Sequence, residues 1–384
     1  MTFMFGPAGS GKSTRIHEWS EASNVHKTAV TGVAALNIDG PTIHSLLHCS
    51  SNVMFIKNAN NGKLKKRLSN LIKFEGLEHL VIDEAPMAGA PLVYALHKAS
   101  KDLDIGITFV GDPYQLGPVN AKPLHDAKDA WEEVKDPKNE ASTIITLDKI
   151  WRQEDSNFIE FLMNIRRGNT QDLYEVGNCF SSKVQEDFPG MTLFYTNKDV
   201  NAFNLKRRKQ IKGKDYSYNP IFKGEVPPFA VKKYKFTTYT KVGEYVMILA
   251  NKKDRDNNTY YYVNGDTGTV VSCEDKSITV RLERNNRLVR VDYQELIFER
   301  AGVKRGHISR PVWKSGYGST IHKAQGLTLD KVQIVLSRLM GTQHGLLYTA
   351  LSRVKTKQGL NIVGNYDSLR QSCYVNPNLI PTVD

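Results

Sequence analysis

Little in this sequence supports a covalent or metal-built framework. Its four cysteines, Cys49, Cys179, Cys273 and Cys373, are scattered, with no pair at zinc-ligand spacing and none of the density of a disulfide-stapled domain. Also missing is any run of about 18 apolar residues able to cross a bilayer as a helix. The N-terminus shows no basic stretch followed by an apolar run and a cleavage site. Internal repeats and low-complexity segments are absent too. Carboxylates are in the minority, 40 Asp and Glu against 52 Lys and Arg, for a net charge of +12. That balance favours a polyanionic partner and salt-sensitive binding. The expectation is an intracellular, soluble chain without a membrane partner, and 384 residues leave room for two or more domains.

Against these absences stands Gly6-Pro7-Ala8-Gly9-Ser10-Gly11-Lys12-Ser13, followed by Thr14. Glycines at this spacing let the backbone pass close to a polyphosphate with its N–H groups turned inward. Lys12 brings charge to the outer phosphates and Ser13 offers a hydroxyl to Mg²⁺. The apolar run Met1 to Phe5 reads as a buried strand, and Ser13 to Ser20 as the helix that the loop opens. A nucleotide such as ATP, with Mg²⁺, is the expected ligand.

Residues 1–150 alternate short apolar runs with helical segments: Thr28 to Val30, Leu80 to Ile82, Ile107 to Val110 and Ile144 to Leu147. Such alternation implies a parallel sheet covered on both faces. Residues 48–75 interrupt it with a basic, polar stretch whose Asn61-Gly62 pair is a turn signal, read as a small hairpin-like insertion. A second alternating region begins at Leu193 and resumes at Val332 to Leu336 and Leu360 to Val363. Between its halves, Tyr245 to Leu249, Gly268 to Val271, Ile278 to Leu282 and Leu288 to Val291 recur at the spacing of a small antiparallel barrel. The boundaries expected from these shifts are 1–47 with 76–150 for a first α/β domain carrying the insertion 48–75. A second follows at 151–237 with 301–384, carrying the barrel 238–300.

Leu80-Val81-Ile82 ends in Asp83-Glu84, and ligands of open α/β sheets sit at such strand ends. Asp83 would meet the metal held by Ser13, and Glu84 could polarise an attacking water. Phe109-Val110-Gly111-Asp112-Pro113-Tyr114-Gln115 repeats the strand-then-polar-loop design and adds a glutamine that can both donate and accept near a terminal phosphate.

Taken in order, these motifs resemble those of RecD-like superfamily 1 helicases, especially the Pif-type and bacteriophage Dda-type DNA helicases. Thr31-Gly32-Val33-Ala34-Ala35 with Thr42-Ile43-His44-Ser45 is similar to the family's first strand-contacting motif, and Leu147 to Gln153 ends in its Arg-Gln pair. Thr320-Ile321-His322-Lys323-Ala324-Gln325-Gly326 and Tyr348-Thr349-Ala350-Leu351-Ser352-Arg353 are similar to its last two motifs. The resemblance implies two RecA-like domains, an SH3-like identity for the barrel, and 5′→3′ movement on single-stranded DNA driven by ATP hydrolysis. Forked duplex DNA is the implied substrate for unwinding.

By the same resemblance Arg152 and Arg353 reach the phosphates, a task suited to a permanently charged planar fork. Gln325 and Gly326 approach the γ-phosphate. Thr31, Thr42, His44, Thr320, His322 and Lys323 contact the strand, and Phe55 is the candidate wedge in the insertion. Val263 to Gly268 is similar to the family's barrel turn, and Tyr260, Tyr261 and Tyr262 offer rings for bases, at least one of them packing the barrel core. Related helicases carry an adenine-contacting glutamine motif upstream of the first strand; the sequence has no counterpart of it, which leaves the choice of base open. Alternative readings are an ATP-gated clamp or loader on single-stranded DNA, or an RNA helicase. A small-molecule kinase would leave the later arginine and Gln-Gly motifs without a task.

Overall fold

A computed structural model describes residues 1–22, 24–49, 52–118, 143–171, 173–253, 260–300 and 303–376. The chain forms two compact units, Met1–Val184 with Ile321–Asp384, and Gln185–Thr320.

The first unit begins with a five-stranded parallel sheet of β1 (Thr2–Phe5), β2 (Val25–Ala29), β3 (His79–Asp83), β4 (Gly106–Gly111) and β5 (Thr143–Thr146), in the order β2-β3-β4-β1-β5. The central strands β1, β3 and β4 are short, mostly apolar runs because both faces are covered: α1 (Lys12–Trp19) and α2 (Gly32–Asn37) bring Ile16, Ala34 and Ala35 against Met4, Val81 and Val110. On the other face Phe3, Phe5, Ile82 and Phe109 pack with α6 (Ala90–Leu103), which follows α3 (Ile43–Leu46), α4 (Asn52–Asn60) and α5 (Lys63–Glu75).

The insertion is a helical hairpin. Asn61-Gly62 does make the turn, with Gly62 in the left-handed region at φ 74°. The flanking segments are α4 and α5 because Leu64, Leu68 and Leu71 recur at helical spacing and bury one stripe against the sheet's cover. Phe55, the wedge candidate, is fully buried in that core with its ring 5.1 Å from His44, so it is a packing residue and cannot meet a duplex.

α7 (Ser156–Arg166), capped by Asp155, and β6 (Phe180–Ser181) complete this stretch. Arg166 ends α7 buried and donates to the Asp112 carboxylate at 3.0 and 3.2 Å.

The second unit holds β7 (Met191–Phe194), α8 (Asn197–Gln210), β8 (Tyr216–Tyr218), β9 (Ile221–Gly224), α9 (Pro228–Tyr234) and β10 (Thr238–Thr240). It continues with β11 (Tyr245–Ile248), the short pair β12 (Lys252–Lys253) and β13 (Tyr260–Tyr262), then β14 (Thr267–Cys273), β15 (Ser277–Leu282) and β16 (Leu288–Asp292). β17 (Gln294–Arg300), β18 (Val303–Arg310), β19 (Trp313–Ser315) and β20 (Gly318–Thr320) finish it. Strands β16-β15-β14-β11-β19 form an antiparallel sheet at the spacing the alternating runs predicted, over a core containing Val246, Val280, Val291 and Trp313. Tyr262 is in that core and Tyr261 is partly exposed, as alternation along a strand requires.

The chain then returns to the first unit through α10 (Ile321–Ala324), β21 (Val332–Val335), α11 (Leu346–Leu351), β22 (Leu360–Val363) and α12 (Tyr366–Ser372), with β21, β22 and β6 pairing in parallel. By packing, 151–184 and 321–384 join the phosphate loop's unit, a grouping different from the boundaries drawn on the sequence. The cause is visible in α11, whose side chains bond to the loops after β1 and β4. Among the described residues, no helix is long and apolar enough to cross a membrane.

Candidate nucleotide site

The site lies beyond the carboxyl ends of β1, β3 and β4, where β1 separates two crossovers of opposite sense and open α/β sheets leave a crevice. The loop from Gly6 to Gly11 leaves β1 and enters α1 with Gly9 and Gly11 at φ 81° and 84°, a backbone that side chains resist. A Cβ on Gly9 would also stand 2.5 Å from that of Arg152. Lys12 turns its ammonium onto the loop itself, donating to the carbonyls of Gly6 at 2.8 Å and Pro7 at 2.7 Å. Burial pulls its pKa down, while the carboxylates of Asp112, Glu84 and Asp83 oppose the shift.

Asp83 ends β3 nearly buried. Its carboxyl is pushed up to about 7, first by burial and then by the neighbouring charge of Glu84, with Lys12 and bonds from the Glu84 amide and the Ser13 hydroxyl acting the other way. Glu84 has a left-handed backbone at φ 53°, rare for a residue with a side chain, and such strain collects where a group must be aimed. Its carboxylate accepts from Gln325 Nε2 at 3.0 Å. Gln115, after β4, is buried and accepts from the Arg353 guanidinium at 3.4 Å.

Arg353 is itself almost fully enclosed, held by its Nε to the Thr349 carbonyl at 2.9 Å. Arg152 donates to the Ser352 carbonyl at 3.0 Å, and burial together with the charge of Arg353 lowers it to about 10, leaving it a cation at neutral pH. Gly326, at φ 83°, offers its carbonyl to Asn37 at 3.2 Å. Lys12, Ser13, Asp83, Glu84, Gln115, Arg152, Arg353, Gln325 and Gly326 are thus gathered in one unit around one loop. Among the described residues the buried Ser10 hydroxyl and Gln325 Oε1 have no hydrogen-bond partner, which is the condition of a polar site built for a ligand.

Two residues without an assigned role complete the site. Tyr348, fully buried on α11, accepts the Ala8 N–H at 2.9 Å, while its neighbour Thr349 accepts the Leu116 N–H at 3.2 Å. One short helix therefore grips the phosphate loop and the loop after β4. Trp151 is 66% exposed, donates its backbone N–H to the Gly9 carbonyl at 2.8 Å and carries a ring beneath Lys149, whose ammonium is 3.7 Å from the ring centre. Both stand inside motifs legible in the sequence, but no spacing rule marks a ring as a contact before the fold places it.

The strand-contact candidates are less clearly gathered. Thr31 and Thr42 use their hydroxyls to accept Ala34 N–H at 3.1 Å and Ser45 N–H at 3.2 Å, the work of helix caps. His44 packs on Phe55, and His322 shares a 2.8 Å hydrogen bond with Gln343, its pKa lowered by burial. Thr320 ends β20 almost buried, and Lys323 is exposed on α10.

Comparison with known proteins places the chain among nucleotide-dependent enzymes of similar fold. A family model described as an AAA domain matches residues 1–179. The ATP-dependent DNA helicase Pif1 of Bdellovibrio bacteriovorus is 29% identical over 94% of this chain and 84% of its own length. The PIF1 helicase of Xenopus laevis is 30% identical over 94% of this chain, which spans 58% of that relative. The crystal structure of Pif1 helicase from Candida albicans superposes with a TM-score of 0.79 at 25% identity, covering 99% of this chain and 94% of that one.

In sequence and in fold the chain is similar to Pif1-type helicases over nearly its whole length.

A further Pif1 structure, from Bacteroides in complex with ADP-AlF3 and single-stranded DNA, superposes with a TM-score of 0.74 over 99% of this chain and 92% of that one. The parallel-sheet, phosphate-loop architecture read from the sequence agrees with these Pif1 neighbours.

Proposed function

We propose that this chain is an ATP-dependent DNA helicase that moves 5′→3′ along single-stranded DNA and opens forked duplexes. The observation that carries the reading is the convergence of Lys12, Asp83, Glu84, Gln115, Arg152 and Arg353 on one phosphate loop within one unit. In the proposed chemistry the terminal phosphate draws the Lys12 ammonium off the carbonyls of Gly6 and Pro7. Glu84, aimed by its backbone and by Gln325, accepts a proton from the attacking water. Arg353 and Arg152 face the charge that develops on the transferred phosphoryl group, a position from which an arginine contributes orders of magnitude in rate.

Ser13, in the first turn of α1, and Asp83, which ends β3, suit Mg²⁺, since a hydroxyl and a carboxylate are hard oxygen donors. The ion would supply charge neutralisation at the β- and γ-phosphates. Trp151 presents an exposed ring on which a nucleotide base can stack. We assign the division into two RecA-like domains, with the antiparallel sheet as the SH3-like insertion and Thr31, Thr42, His44, Thr320, His322 and Lys323 as strand contacts, to this same reading.

The test is ATP hydrolysis with and without a single-stranded oligonucleotide, in the parent and in Lys12→Ala, followed by unwinding of forks bearing a 5′ or a 3′ tail. Stimulated hydrolysis that is lost in the variant, with displacement only from 5′-tailed forks, is expected. Hydrolysis without displacement on either fork would replace the helicase with a clamp or loader. Stronger stimulation by RNA than by the matched DNA would reassign the track.

A further inference from the structure

The chain's positive charge is concentrated. Between residues 205 and 240 there are ten Lys and Arg and two acidic residues, Asp215 and Glu225, a net of +8 out of +12 for the whole chain. These residues belong to the second unit and lie outside every motif of the nucleotide site.

The fold gathers them. α8 ends in Arg207, Arg208 and Lys209, and Lys212 and Lys214 follow exposed in the loop to β8. β8 pairs antiparallel with β10, Tyr216 opposite Thr240. Arg208 reaches across to β10, its guanidinium 5.2 Å from the Tyr239 ring centre, and Lys214 lies 5.1 Å from the ring of Tyr216. α9, directly before β10, contributes Lys232 and Lys233, and the turn between them contributes Lys235, all three exposed. Asp215 balances part of the charge at the α8 end, 3.9 Å from Arg208 and 3.8 Å from Lys241, and does not reach the α9 lysines by any ion pair among the described residues.

Apolar rings interleave with this charge. Phe236 is 68% exposed and Tyr239 is 49% exposed, both beside lysines or arginine. A solvated lysine face needs no such rings, and a hydrophobic docking surface would not carry this much positive charge, even with Lys206 paired to Glu186 and Arg208 near Asp215. Lysines that track phosphates together with rings that stack on unpaired bases are what a single strand requires, whereas a duplex presents no free base face.

The geometry points to a second single-stranded DNA contact on the face formed by the end of α8, α9 and β10, separate from the motif residues. Its choice of ligand rests on the reading that single strands are this chain's track.

The test measures oligothymidines of about 8 and about 24 nucleotides, lengths bracketing the span of one small binding module, on the full chain by fluorescence anisotropy across salt concentrations. A Lys232→Gln/Lys233→Gln/Lys235→Gln variant should bind the longer oligomer roughly tenfold more weakly, with a salt slope smaller by about 2, since each single-strand phosphate contact contributes about 0.7. Phe236→Ala/Tyr239→Ala should weaken the same oligomer while leaving the salt slope unchanged. Activation of ATP hydrolysis by the short oligomer should match the parent in both variants. Unaltered binding of the longer oligomer in both variants overturns the proposal, as does an equal loss on a blunt duplex, which would make this a duplex or general polyanion face. Failure of either oligomer to stimulate the parent would instead sink the reading of the track, so the two failures are distinguishable.

Discussion

The nucleotide site and the strand-contact candidates were drawn from motifs of similar length, yet the fold treats them differently. Around the phosphate loop, side chains far apart in sequence meet: Gln325 holds Glu84, Arg353 holds Gln115, and Tyr348 holds the Ala8 amide. Among the strand candidates, two threonine hydroxyls are bonded near home, Thr31 to Ala34 and Thr42 to Ser45, and the insertion's aromatic is core. A motif thus marks chemistry most surely when its polar groups have no local employment. Ser10 and Gln325 have buried atoms awaiting a partner, whereas the Thr42 hydroxyl is engaged in holding its own helix.

That contrast breaks most visibly at the chemistry. Lys12→Ala and Glu84→Gln should each lower ATP turnover by about 100-fold or more, the scale for removing one preorganised charge at a reacting centre, with oligonucleotide affinity little changed. Steady-state hydrolysis beside anisotropy checks both. Full turnover in either variant would show that the converging side chains are not the reaction site.

Phe55→Ala is the corresponding test of the other region. Truncating a fully buried phenylalanine costs about 3–5 kcal/mol, so denaturant midpoints should fall while hydrolysis per folded molecule persists. A variant as stable as the parent that fails only in unwinding would restore the wedge and refute the burial argument.

How much of this was legible beforehand follows the same physics. β1, β3 and β4 fall within a residue or two of their apolar runs, because a strand buried on both faces must be largely apolar. The phosphate loop and the Asp83-Glu84 strand end were legible since few other sequences satisfy them. The insertion misled: Asn61-Gly62 correctly marked a turn, but a turn does not specify what it joins, and the Leu64, Leu68, Leu71 spacing that specifies helix was the stronger signal. Tyr348 and Trp151 could not be assigned from spacing, because their roles depend on contacts to Ala8 and Gly9 made by residues more than a hundred positions away.

Asp83 sharpens the comparison through pH. Its folded carboxyl titrates near 7 against an ordinary value of 3.8. Between those values the folded state keeps a proton that the unfolded state has released, so stability falls as pH rises through the window, and the loss is complete above it. Asp83→Asn should therefore stabilise the nucleotide-free protein at pH 8 by at most about 4 kcal/mol, with the gain vanishing near pH 4. Equal gains at both pH values would mean that packing, not ionisation, is responsible. Tyr348→Phe is smaller: it leaves a buried Ala8 N–H without its acceptor, about 1–3 kcal/mol. ATP affinity should fall by about tenfold while the ring's packing is preserved. An unchanged affinity would reduce the α11 grip to fold stability alone.

The smallest effect tests whether local employment of a side chain rules out a second task. Thr42 caps α3 by accepting the Ser45 N–H, so Thr42→Ala should cost about 1 kcal/mol, and Thr42→Ser, which keeps the hydroxyl, should recover most of it. If capping is the whole role, oligonucleotide affinity and its salt slope will match the parent in both variants. If affinity falls in Thr42→Ala by more than that instability accounts for and returns in Thr42→Ser, the hydroxyl serves strand and helix together: its oxygen accepts from Ser45 while its proton is donated to a phosphate. The geometry permits that division because a hydroxyl carries one donor and two acceptor sites. The pair of variants therefore decides whether the two regions differ in kind or only in how openly their chemistry is displayed.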